Sequence, residues 1–258
     1  SGNGVAWNGR QFVAVGNGQP IVYSNDGITW TASVNGGAFF GSAFGIASNG
    51  SRWVAVGGDT HSIAYSSDGI NWTSVINSTS LVTRGYGVVW AGTQFVTVGY
   101  GINTILYSSD GITWVPSANG NSVIGDARAI AWNGLQYVAV GSSIVYSSDG
   151  INWTNSPSGS AIFSGGECFG VTWNGVRWIA TGYGNNPNVN PSFAYSTDGN
   201  NWTPGPNIFT YEGDGIASNF GPYQSIAISS DKRFDVVSDA YYNTGYTNFS
   251  MIVRGQYS

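Results

Sequence analysis

The sequence of 258 residues predicts an all-β chain built from repeats of a four-stranded sheet. Three observations carry the prediction. Only 8% of the residues are charged, against about a quarter in an average soluble domain, and 39 glycines with many Asn, Ser, Thr and aromatic residues take their place. These are residues of strands and turns. Second, the pattern Tyr-Ser-x-Asp-Gly-x-x-Trp recurs with its aspartate at Asp26, Asp68, Asp110, Asp149 and Asp198, at intervals of 42, 42, 39 and 49 residues. Third, a second pattern precedes each copy, reading GVAWNGRQFVAVG from Gly4, GIASNGSRWVAVG from Gly45, GVVWAGTQFVTVG from Gly87, AIAWNGLQYVAVG from Ala129 and GVTWNGVRWIATG from Gly170.

Within the first unit, alternation and β-branched content predict an inner strand ending at Trp7, a second over Phe12 to Val15, a third over Ile21 to Ser24 and a fourth starting at Trp30. Asn-Gly and Asp-Gly pairs between them supply turns that need positive φ. Four strands repeated every 40 residues or so make a β-propeller blade. Blades are expected at approximately 4–34, 45–76, 87–118, 129–157, 170–205 and 225–258. The sixth copy, SIAISSDKRFDVVS from Ser225, lacks the aspartate and tryptophan, and the chain ends shortly after its third strand. The expectation is one six-bladed antiparallel propeller with a degenerate last blade, whose incomplete edge is a candidate assembly point.

The repeated motif resembles the Asp-box, or BNR, repeat of β-propellers, over nearly the whole chain and in five copies in register. The resemblance implies that the box lies at the turn between the third and fourth strands. There the carboxylate accepts local N–H groups, the glycine takes the strained turn position and the tryptophan folds over the hairpin. Asp26, Asp68, Asp110, Asp149 and Asp198, with Trp30, Trp72, Trp114, Trp153 and Trp202, are therefore expected to be structural. Sialidases carry this repeat, and the resemblance implies a search for their arginine triad, nucleophilic tyrosine with its glutamate, and aspartic acid/base. Arg10, Arg52, Arg177 and Arg233 fall beside the opposite turns, Arg254 falls in a strand, and no Arg-Ile-Pro signature occurs. The sialidase-like scaffold is thus expected without the catalytic set.

Charge and cysteine content narrow the function. Thirteen acids against eight bases give a net charge of −5, with Lys232 and Arg233 the only adjacent bases, so neither nucleic acid nor membrane insertion is expected. One cysteine, Cys168, and one histidine, His61, allow neither an internal disulfide nor a metal cluster, and no cofactor is expected. Cys168 reads as a small buried residue, and His61 as a polar turn residue. The start at Ser1 fits a processed product or a part of a longer polypeptide.

Strand order puts the near-invariant turns on one face and, on the other, the variable loops after the second and fourth strands. Loops on a rigid scaffold carry function. The variable set includes GYGINT after the third blade's second strand, and the segments holding Phe44, Arg84, Tyr86, Asp126, Arg128, Glu167, Cys168 and Asp214. Ala6, Ala47, Val89, Ala131, Thr172 and Ala227 occupy the next-to-last position of each inner strand; if they line the axis, the channel wall carries no chemistry. The expected function is non-enzymatic recognition of a glycan or protein ligand, with Arg84, Tyr86, Arg128, Tyr183, Tyr211 and Glu212 as candidate contacts. Arg84→Ala combined with Arg128→Ala is expected to weaken ligand binding and to leave the melting temperature nearly unchanged. The rival expectations are a structural propeller of an extracellular or virion-surface assembly, and a glycoside hydrolase using scattered carboxylates such as Asp59 and Glu167. Either way the chain is expected to be secreted or surface-exposed. Sequons at Asn49, Asn71, Asn77, Asn152, Asn201 and Asn248 bear on origin only weakly, because three arise inside the repeat as Asn-Trp-Thr.

Overall fold

The computed structural model describes residues 1–18, 20–184 and 192–205, with the backbone of 226–227. The candidates Tyr211 and Glu212, and most of the expected sixth blade, lie outside these residues.

The chain is all-β, in consecutive antiparallel sheets. The first holds β1 (Gly2–Trp7), β2 (Phe12–Gly16), β3 (Ile21–Ser24) and β4 (Thr31–Ala32). The second holds β5 (Ser42–Ser48), β6 (Trp53–Gly58), β7 (Ile63–Ser66) and β8 (Thr73–Ser74). In the third are β9 (Arg84–Trp90), β10 (Phe95–Tyr100), β11 (Ile105–Ser108) and β12 (Val115–Pro116). The fourth runs β13 (Ala127–Trp132), β14 (Tyr137–Gly141), β15 (Ile144–Ser147) and β16 (Thr154–Asn155). The fifth runs β17 (Glu167–Trp173), β18 (Trp178–Tyr183), β19 (Phe193–Ser196) and β20 (Thr203–Pro204). A short strand, β21 (Ile226–Ala227), pairs with β1, Gly4 opposite Ala227 and Val5 opposite Ile226, and so extends the first sheet. Single helical turns not foreseen from the repeat, such as Pro157–Ile162, fill the connections between sheets. In that turn Ser156 Oγ caps the start by accepting from the Gly159 amide.

The core lies between sheets. Four apolar clusters form, each shared by two consecutive sheets: Val13, Val15 and Ile21 with Ile46, Trp53 and Trp72 is the first, and the other three repeat its pattern one sheet along. Strand alternation explains this, because successive side chains leave opposite faces of a sheet. Ile46 joins the cluster with the first sheet while Ala47 joins the one with the third. The small residues Ala6, Ala47 and Ala131 are therefore buried between sheets, which overturns the reading in which they line the axis.

The turns between third and fourth strands explain the repeated motif. Asp68 Oδ1 accepts from Ser66 Oγ at 2.9 Å and from the Ile70 and Asn71 amides at 2.8 and 2.7 Å. The following Gly69 takes φ +72°, in the left-handed region that glycine enters without a Cβ penalty. Trp72 Nε1 donates to Gly69 O at 3.2 Å, folding the indole over the turn. The same bonds recur at Asp26, Asp110, Asp149 and Asp198. Trp72, Trp114, Trp153 and Trp202 are 2 to 6% exposed against the preceding sheet, whereas Trp30, with no described sheet before its own, is 39% exposed.

Each inner strand carries a bulge near its start. The register between inner and second strands skips residue 3, 44, 86, 128 or 169, so Asn3, Phe44, Tyr86, Arg128 and Phe169 stand outside the ladder at equivalent positions. An extra unpaired residue of this kind bends the strand and re-aims its side chain. Immediately after the bulge, a Cβ on Gly45 would stand 3.0 Å from the Tyr86 carbonyl oxygen. Glycine there allows neighbouring inner strands to converge.

Candidate functional site

A cleft of about 490 Å³ lies on the variable-loop face, lined by Asp59, Thr83, Arg84, Tyr86, Tyr100, Asp126 and Arg128. Asp59 comes from the loop after β6; Thr83 lies just before β9, and Arg84 and Tyr86 lie at its start. Tyr100 ends β10 directly opposite Arg84 in the register, and Asp126 and Arg128 flank the start of β13. Three of the six sequence candidates, Arg84, Tyr86 and Arg128, are thus brought together. Tyr183 is not part of the lining: it pairs with Glu167 across β17 and β18 and stacks on Phe169 at 5.8 Å.

Three of the bulge residues form a continuous run across the second, third and fourth sheets. Phe44 packs on Tyr86 with ring centres 5.3 Å apart, and the Arg128 guanidinium lies 4.5 Å from the centre of the Tyr86 ring. Arg84 lies 5.8 Å over the Phe44 ring. Cation–aromatic contacts of this geometry are favourable, more so where water is partly excluded.

The two arginines differ sharply in what occupies them. Arg128 Nη2 contacts Asp126 Oδ2 at 3.0 Å and its Nε donates to Glu167 Oε1 at 2.5 Å, all three side chains being 21 to 28% exposed. One guanidinium therefore ties together the third, fourth and fifth sheets through Tyr86, Asp126 and Glu167. Burial pushes the Asp126 carboxyl upward in pKa; the Arg128 charge opposes this and the Glu167 charge adds to it. Arg84 is 45% exposed, and its ion-pair contact is Asp59 Oδ1 at 4.0 Å. Its guanidinium makes no side-chain hydrogen bond among the described residues, which leaves it the cation more available to a ligand.

Asp59 sits at φ +91°, in a region that residues with a side chain seldom adopt. Such strain concentrates at binding and catalytic sites. A Cβ on Gly41 would meet Asp59 Oδ2 at 2.1 Å and one on Gly58 would meet Arg84 Nε at 2.8 Å, so glycines make room for both charged groups.

Tyr100 and Thr83 were missed by sequence reasoning. The signal available was the loop GYGINT itself, whose aromatic falls in register with Arg84 once the hairpin is drawn.

Other nucleophiles and bases lie elsewhere. Cys168 is fully buried, and burial drives its thiol far above the ordinary value. His61 packs edge-on against Phe39 at 5.6 Å. Arg52 and Arg177 lie over Tyr65 and Tyr195 at 5.2 and 5.3 Å, away from the cleft lining. Among the described residues no group of three His, Cys, Asp or Glu could hold a metal ion, and no helix is long and apolar enough to cross a membrane.

No protein-family model matches the sequence, and no curated protein matches it. Solved structures do. A GH74 enzyme of Niastella koreensis is 23% identical with a TM-score of 0.54, over 75% of this chain and 29% of that one. A nidogen/laminin complex is matched at 15% identity and a TM-score of 0.52, over 67% of each chain. YCF48 bound to a D1 peptide is matched at 17% identity and a TM-score of 0.52, over 75% of this chain and 64% of that one. This chain therefore spans under a third of the GH74 protein. The likeness supports a β-propeller fold, and at these identities it carries the fold alone.

Proposed function

We propose that the chain is a non-enzymatic recognition module, a six-bladed propeller of the Asp-box kind, that binds a glycan or a protein segment through its variable-loop face. The observation that carries this reading is the cleft at Arg84. A half-exposed guanidinium and an exposed aromatic on paired strands converge there with an exposed carboxylate from the loop after β6. Concave sites with a few convergent polar groups on a fixed scaffold are where ligands bind. The structural neighbours, one solved with laminin and one with a D1 peptide, lend support to a protein ligand. Catalysis has less support, because the one thiol is buried and Arg128 is spent on two carboxylates. We place the module outside the cell or on a virion surface.

The test is a screen of the purified chain against immobilised glycans and immobilised peptides, run in parallel with Arg84→Ala. Binding that Arg84→Ala abolishes supports the site. Binding by both proteins alike places recognition elsewhere.

A second reading, assembly into a larger structure, draws on the opposite face. Leu135 and Val176, in the turns after β13 and β17, are 81% and 62% exposed, and Ile28 is 84% exposed. Apolar residues on turns of neighbouring sheets suit contact with another protein. Concentration-dependent mass in light scattering, removed by Leu135→Ser with Val176→Ser, is the expected signature.

A further inference from the structure

The chemistry of the cleft says more about the ligand than that one exists. Three of its accessible groups have complementary capacities: Asp59 accepts only, Arg84 donates only, and the Tyr100 ring offers an apolar face with a hydroxyl at its edge. Asp59 and Tyr100 are 54% and 53% exposed. No ring or cation among the described residues packs on Tyr100. The Arg84 and Asp59 side chains stand 4.0 Å apart, too far for a good hydrogen bond with each other and close enough for one ligand to serve both.

Charge decides which ligands fit that arrangement. The cleft and its immediate support hold two cations, Arg84 and Arg128, against three acids, Asp59, Asp126 and Glu167. Arg128 is already shared by Asp126 and Glu167, so an arriving anion would find Arg84 alone, with the Asp59 carboxylate 4.0 Å away. An arriving cation would meet the reverse conflict. Hydroxyls resolve it, since each one donates to a carboxylate and accepts from a guanidinium at the same time. Neighbouring hydroxyls on a ring whose C–H face lies on an aromatic are the defining surface of a sugar. The volume, about 490 Å³, is that of a small-ligand pocket.

We propose that this cleft is a subsite for one neutral pyranose ring, stacked on Tyr100, with adjacent hydroxyls bridging the Asp59 carboxylate and the Arg84 guanidinium, and that it rejects acidic sugars. The proposal rests on reading the cleft as the recognition site and names its ligand class.

The experiment is saturation-transfer-difference NMR on the intact chain with the methyl glycosides of glucose, galactose, mannose and N-acetylglucosamine, and with N-acetylneuraminic acid. Ring-proton saturation is expected from at least one neutral glycoside and not from N-acetylneuraminic acid. Tyr100→Ala should weaken that binding roughly tenfold, as expected for losing a stacking face, while Tyr100→Phe retains most of it. Asp59→Asn should weaken it as well, and thermal melts should show every variant folded. Silence from all four neutral glycosides overturns the proposal, as does preference for the acidic sugar or indifference to Tyr100→Ala. Silence here combined with Arg84-dependent capture on the peptide array removes the sugar and leaves the recognition site standing. Silence in both removes both.

Discussion

The Arg128 guanidinium lies 4.5 Å from the centre of the Tyr86 ring while its Nε donates to Glu167, so one side chain of the fourth sheet reaches both neighbouring sheets. Arg84, two residues before Tyr86, has no comparable anchorage. The stability cost of removing the two arginines together should therefore fall on Arg128. Arg128→Ala strips a shared cation from two half-buried carboxylates and uncovers Tyr86, and should cost about 2 kcal/mol. Arg84→Ala, at an exposed position, should stay within about 0.5 kcal/mol. Urea unfolding of the two variants side by side measures the contrast.

The tryptophans of the repeated motif should be unequal in the same graded way. Trp72→Ala removes an indole that is 2% exposed and should cost about 3–5 kcal/mol. Trp30 is 39% exposed, and its replacement should cost less than half as much. Equal losses from chemical denaturation would show that Trp30 is covered as completely as Trp72.

Acid should weaken the fold in a defined window. The Asp26 carboxyl is held down at about 2 by the amides of Thr29 and Ile28 and the Ser24 hydroxyl. At Asp68, Asp149 and Asp198 burial works against the charge, but the following asparagine, two backbone amides and the motif serine outweigh it, again giving about 2. Asp110 is shifted down likewise. The folded values lie below the ordinary 3.8, so the stabilisation is complete above about pH 4 and lost as pH falls toward 2. The melting temperature should fall over that interval, and carboxyl NMR titration should find Asp26, Asp68, Asp149 and Asp198 still mostly ionised at pH 3.

Cys168 offers a probe of folding. Its burial and raised thiol pKa predict no reaction with a thiol reagent at pH 8 in the native state, and full reaction in denaturant. Rapid native labelling would mean that β17 opens readily.

Much of this architecture was legible in the sequence because it is periodic. The spacing of Asp26, Asp68, Asp110, Asp149 and Asp198 located the turns, and Asn-Gly and Asp-Gly located the hairpins, since those pairs are among the few chemistries that satisfy such backbones. The face holding Arg84, Tyr86 and Arg128 followed from strand order. What could not be read was the division of labour between the arginines, because it depends on Glu167, 39 residues from Arg128 and one sheet away. Tyr100 escaped for a related reason: its partner is fixed by the hairpin register and not by its neighbours in sequence. The assignment of Ala47 to an axial wall failed because alternation in a stacked sheet alternates between two neighbours, leaving neither face free.

The bulge that recurs at Asn3, Phe44, Tyr86, Arg128 and Phe169 separates two jobs that most strand positions must combine. A residue outside the ladder can be exchanged without shifting the pairing on either side of it. The five positions already hold an amide, three aromatics and a cation on nearly the same backbone. Where such a residue does not hold a neighbouring sheet, unlike Arg128 with its contacts to Tyr86 and Glu167, the position is a socket: what is plugged into it can change while the strand pairing on either side stays as it is.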